Sequence, residues 1–124
     1  MKVLQKMKKN KLATLNILDL TPIRLLEHKT KNDGLIDVLV PRFKIQFLQK
    51  LIPKNRNPYI NANLDELGSA TWELIDGNRT ATEIANILNK KIGNVEQLHQ
   101  RVGLFLQKLH KNNFITFIEI SSNN

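Results

Sequence analysis

The stretch LDELGSATWELIDGNRTATEIANIL, residues 64–88, decides the fold. Asn63 or Asp65 can cap a helix that runs to about Ile75, with Leu64, Leu67, Thr71, Leu74 and Ile75 along one side. Asp76-Gly77-Asn78-Arg79 ends it, because Gly77 takes the left-handed conformation that a side chain resists. Thr80-Ala81-Thr82-Glu83 is a capping box: the Thr80 hydroxyl accepts from the backbone N–H of Glu83, and the Glu83 carboxylate reaches back. The second helix opened there runs to about Asn89 and buries Ile84, Ile87 and Leu88. A third helix follows the Ile92-Gly93-Asn94 break, from Val95 to about Lys111, with Val95, Leu98, Val102, Phe105 and Leu109 spaced three and four apart. Phe114–Ile120, FITFIEI, reads as a closing strand.

Upstream of this stretch the pattern changes to strands. Tyr59–Leu64 alternates Ile60, Ala62 and Leu64 against Tyr59, Asn61 and Asn63. Arg24–Thr30 and Leu35–Val40 flank Lys31-Asn32-Asp33-Gly34, whose Asn, Asp and Gly tolerate the positive φ of a tight hairpin. In the second of these strands Ile36, Val38 and Val40 share a face and Asp37 takes the other. Phe43–Ile52 repeats its large residues every four positions and is expected as a short helix, followed by a loop through Pro53 and Asn55–Pro58. Leu12–Leu20 favours neither period, and residues 1–20 are expected as a basic, flexible arm before one domain at 21–124. The fold class expected is α+β and winged-helix-like: a small antiparallel three-stranded sheet packed on a three-helix bundle.

Composition narrows the function. With 124 residues, 41% hydrophobic and 24% charged, the chain fits one globular domain. It has no cysteine, so it has no thiolate metal site and no Cys nucleophile. Its three histidines are His28, His99 and His110; the last two stand eleven apart on the third helix, too far for one metal ion. No Gly-rich phosphate loop occurs, and the carboxylates Asp65, Glu66 and Glu83 sit at helix starts, where the helix dipole accounts for them. These features argue against an enzyme, and no cofactor and no metal are expected.

The net charge is +8, unevenly placed: residues 1–63 hold thirteen Lys and Arg against four Asp and Glu, residues 64–124 six against seven. Five lysines fall in the first eleven positions, where a solubilising tail explains them. Nothing there builds the apolar core of about 7–15 residues that a signal peptide needs, nor the run of about 18 that spans a membrane. A cytoplasmic protein is expected, with no membrane partner.

Residues 64–88 resemble the PqqD family, through Leu64-Asp65, Trp72, Asp76-Gly77, Arg79-Thr80 and Glu83-Ile84. RVGLFLQKLHKNNFI at 101–115 resembles that family's third helix and closing segment, and the likeness extends over about Leu35–Phe117. Most of the pattern is structural: a C-cap, a capping box, and Trp72, Leu74 and Ile84 as core, with Trp72 as a ligand-stacking platform the lesser reading. The resemblance implies a precursor-peptide recognition element, a peptide chaperone that binds the leader of a ribosomally made peptide and presents it to a modifying enzyme, often a radical SAM protein. It also implies that the leader adds a strand to the sheet edge and lies against the third helix. The Phe43–Pro58 insertion and the basic arm depart from minimal members.

The residues themselves support a peptide edge. Tyr59, Ile60, Asn61, Ala62 and Asn63 would offer unpaired backbone groups to an incoming strand. On the third helix Gln97, Arg101, Leu104 and Lys108 form a row off the core stripe, and an exposed Leu between two cations suits an acidic, amphipathic segment. Arg101, Leu104, Phe105 and Lys108 are the expected helix contacts. The same edge could instead pair two copies of the chain. The alternative is a winged-helix DNA binder using Thr82, Glu83, Asn86 and Asn89, but the helical half has a net charge of −1, so no specific nucleic acid is expected.

Overall fold

The structure is a computed structural model that describes residues 16–42, 57–93 and 95–121. In chain order it has a 3-10 turn (Ile17–Asp19), β1 (Pro22–Arg24), β2 (His28–Thr30), β3 (Ile36–Pro41), β4 (Tyr59–Asn63), α1 (Glu66–Leu74), α2 (Ala81–Ile92), α3 (Leu98–Lys111), β5 (Ile115–Phe117) and α4 (Ile118–Ser121). The class is α+β. The chain divides into two compact units, Leu26–Ser69 and Met1–Leu25 with Ala70–Asn124. The expected helix at Phe43–Ile52 lies outside the described residues.

The unit Leu26–Ser69 is an antiparallel sheet ordered β2-β3-β4. Its hairpin forms as the turn chemistry requires. Gly34 has φ +85°, its N–H donates to the Lys31 carbonyl at 2.9 Å, and Asp33 Oδ1 accepts from Leu35 N at 2.9 Å. Ile36 and Val38 are fully buried on one face. Asp37, on the other, is only 4% exposed, and Lys31 Nζ stands 3.3 Å from its carboxylate. At the start of α1, Asp65 Oδ1 accepts from Gly68 N at 2.7 Å, so Asp65 is the cap. Ser69 Oγ takes the Ile36 N–H at 2.9 Å and donates to the Leu64 carbonyl at 3.3 Å, so a buried hydroxyl ties the helix to two strand ends.

The second unit holds α2, α3 and the two-stranded sheet β1-β5. Its buried side chains include Leu20, Trp72, Ile75, Ile84, Leu88, Val102, Leu106 and Phe117. The capping box is present in both halves, at 3.2 and 3.0 Å. Gly77 has φ +81° and donates to the Pro22 carbonyl at 3.1 Å, which closes the outer edge of β1. A Cβ at this position would stand 3.3 Å from Ile23 Cδ1. Gly77→Ala therefore combines left-handed strain with a tight contact, and a loss of about 1–2 kcal/mol is expected in urea unfolding; an unchanged midpoint would contradict it.

Four expectations are corrected here. Residues 16–20, given to the arm, are structured: Asn16 caps the 3-10 turn and Leu20 is 2% exposed. The strand expected over Arg24–Thr30 is two strands with different partners, because Arg24 is drawn into the second unit, its Nε donating to the Ile75 carbonyl at 2.8 Å and its guanidinium 5.8 Å from the Trp72 ring centroid. The third helix begins at Leu98, after Gln97 in a left-handed conformation, and buries Leu98, Val102, Gly103, Leu106 and Leu109, with Phe105 half-buried at the margin of that stripe. The closing strand stops at Phe117. Glu119 accepts from both Thr21 N and Thr21 Oγ1 at 2.7 Å, which turns Ile118–Ser121 into a helical turn.

Two titrations follow from this packing. Burial beside Phe117, ring centroids 5.2 Å apart, holds His110 below its ordinary 6.5. The folded state thus disfavours the proton that the unfolded chain accepts, and stability declines as the pH falls below 6.5 towards the lowered folded value. Thermal melts between pH 8 and pH 5 should show a smaller decline for His110→Gln than for the parent chain; an equal decline would exclude His110 as the cause. Partial burial pushes Glu119 up, but the Thr21 hydrogen bonds outweigh it and hold the carboxyl below its ordinary 4.5. Its contribution is lost only as the pH falls through that lower value.

Candidate functional site

Strand β4 lies at one edge of its sheet, and hydrogen-bond parity decides what it offers. Leu64 N donates to the Ile36 carbonyl at 2.9 Å and Arg42 N to the Pro58 carbonyl at 3.1 Å, in a register that pairs Ala62 with Val38 and Ile60 with Val40. Alternation along an antiparallel ladder turns the backbone groups of Ile60 and Ala62 towards β3 and those of Tyr59, Asn61 and Asn63 away from it. The Tyr59 N–H is occupied by Asn57 Oδ1 at 3.0 Å, and Pro58 has none. Five groups then carry no hydrogen bond among the described residues: N–H and C=O of Asn61 and Asn63, and C=O of Tyr59.

The side chains alternate likewise. Tyr59, Asn61 and Asn63 share a face with Asp37 and Leu39, while Ile60 and Ala62 share the other with Ile36, Val38 and Val40. Ile60 is 53% exposed at the sheet margin. Asn61 Oδ1 is enclosed and has no hydrogen-bond partner among the described residues.

Of the helix residues expected at the site, Arg101, Leu104 and Lys108 are exposed on α3 and Phe105 is half-buried. They belong to the second unit, whereas Tyr59–Asn63 belong to the first. Leu104 also lines a feature that the sequence did not signal. Ile17 and Leu18 of the 3-10 turn and Gln100, Gly103 and Gln107 of α3 join it around a shallow recess of about 470 Å³.

The side chains that a duplex reader would present from α2 are largely committed inside the fold. Thr82 Oγ1 donates to the Leu18 carbonyl at 2.8 Å, Glu83 completes the capping box, and Asn86 Oδ1 stands 2.7 Å from His99 Nε2. Among the described residues, no three His, Asp or Glu side chains gather as a metal set. No helix among them is long and apolar enough to cross a membrane.

The described residues thus present an edge strand with backbone groups that none of them claims, and no gathered metal-ligating set among them. Residues 59–115 match the family model PqqD, described as coenzyme PQQ synthesis protein D. The resemblance read from residues 64–88 is thus met from β4 to the first residue of β5, in a non-catalytic family of modified-peptide biosynthesis. No curated protein and no solved structure matches the chain.

Proposed function

We propose that this chain is a cytoplasmic peptide chaperone that binds the leader of a ribosomally made precursor by strand addition on β4 and presents it to a modifying enzyme such as a radical SAM protein. The observation that carries the reading is the set of five backbone groups on the β4 edge that no described residue claims. A leader residue opposite Asn61 would exchange two hydrogen bonds with it, one opposite Asn63 two more, and the Tyr59 carbonyl would accept a fifth. The leader side chains beside Ile60 and Ala62 would be apolar. Arg101, Leu104, Phe105 and Lys108 remain our assigned helix contacts. Ordering a disordered leader opposes binding, so the dissociation constant should lie on the order of micromolar to tens of nanomolar.

Asn61→Pro tests this. The Asn61 N–H points away from β3, so proline at this edge position leaves the ladder intact while removing one donor and crowding the docking side. The expected result is a folded protein whose affinity for its precursor leader falls at least about tenfold, that is, by 1.4 kcal/mol or more. Unchanged affinity with the fold retained would overturn strand addition. The edge could also pair a second copy of the chain, in which case light scattering would show a dimer that the leader dissociates.

A further inference from the structure

We propose that the recess between the 3-10 turn and α3 is an anchor pocket for one bulky aliphatic side chain of the precursor peptide, flanked in that peptide by carboxylates. The inference rests on the peptide-binding reading above and adds to it what kind of peptide is selected. Ile17 and Leu18 lie outside the 59–115 family match, whereas Gln100, Gly103, Leu104 and Gln107 lie inside it.

The recess exists because α3 has a glycine facing the turn. A Cβ at Gly103 would reach ordinary contact with Leu18, 3.7 Å from Cδ2, so the missing side chain leaves a floor of aliphatic surface. Leu104 stands beside it, 59% exposed, as one wall. Asn16 and His99 at the rim are already engaged, Asn16 Oδ1 by Leu18 N at 3.0 Å and His99 by Asn86 at 2.7 Å. What remains for a ligand is aliphatic contact and the amides of Gln100 and Gln107.

The surrounding charge states the partner's sign. Leu104 has Arg101 three positions before it and Lys108 four after it, the spacing that brings helix neighbours together. Helix α3 carries no Asp or Glu anywhere along Leu98–Lys111. Among the described residues, neither cation has an ion-pair partner. An aliphatic anchor here would carry its neighbours under two unpaired cations, which favours Asp or Glu beside it and opposes Lys or Arg.

The probe is a short synthetic peptide with one leucine between pairs of glutamates, compared with versions carrying glutamine or lysine for glutamate and alanine for leucine. Backbone amide shifts of the full chain are followed. The glutamate–leucine peptide should shift Leu18, Gly103, Leu104 and Gln107, with affinity at least fivefold above the glutamine version and lost on leucine-to-alanine exchange. Arg101→Gln with Lys108→Gln should abolish the preference for glutamate. Gly103→Ala, which fits the space and favours the helix, should raise the melting temperature yet weaken the probe, so a lost site is not mistaken for a lost fold. Equal binding of the glutamate, glutamine and lysine versions would overturn the proposal. So would shifts confined to Asn61 and Asn63, an outcome that would leave strand addition standing. Recess shifts with a leader that leaves β4 silent would instead remove strand addition and keep the pocket.

Discussion

Trp72→Ala should destabilise the protein by about 3–5 kcal/mol, read by circular dichroism in urea because the only tryptophan is lost. The ring is fully buried in the second unit, and the Arg24 guanidinium stands 5.8 Å from its centroid. Truncation removes the apolar burial, leaves a cavity and frees a cation from its aromatic neighbour, three losses in one direction. A small domain with about 5–15 kcal/mol of stability would keep little reserve. Trp72→Phe should cost far less, since it keeps most of the volume. A loss below about 1 kcal/mol for the alanine variant would deny the core role and return Trp72 to the ligand-stacking reading.

Leu20→Ala is expected to cost about 2–5 kcal/mol, although Leu20 falls in a segment that sequence pattern assigns to a flexible arm. Its side chain is 2% exposed. Its backbone is also fixed: Leu20 N donates to the Ile17 carbonyl at 3.0 Å, and its own carbonyl accepts from Ala81 N at 2.9 Å, at the start of α2. If residues 16–20 were merely an arm, the substitution would leave the urea midpoint unchanged, so a single unfolding curve separates the two descriptions.

The parts that were legible in the sequence have local causes. Gly34 and the Thr80/Glu83 box each act within four residues, and each occurs as read; Gly77 takes the left-handed conformation as read, while its N–H goes to the distant Pro22 carbonyl. The failures are those of distant partners. Nothing in Arg24–Thr30 reports that its first residue will pair with β5, because that choice is made by Ile115 and by Trp72. A 3-10 turn of three residues has no period to detect, so the Leu18 and Leu20 environment stayed hidden. On α3, Phe105 and Leu106 both fit an apolar stripe, and only the neighbours select Leu106 for the interior. The strand at Tyr59–Asn63 was readable from alternation, whereas which of its amides face outward depends on the register against β3, and the recess depends on a turn some eighty positions from Gly103.

The pairing of β1 with β5 has a consequence for how the chain is made. Pro22–Arg24 leave the ribosome well before their antiparallel partners Ile115–Phe117. The sheet of Leu26–Ser69, whose hairpin is closed by a local turn, can assemble while synthesis continues. The other unit cannot: Leu20, 2% exposed in the folded protein, and strand β1 remain without β5 until Ile115–Phe117 emerge, and that apolar surface is exposed for the interval. A nascent chain arrested before Ile115 should therefore protect the β3–β4 amides from exchange and bind chaperones through its first strand.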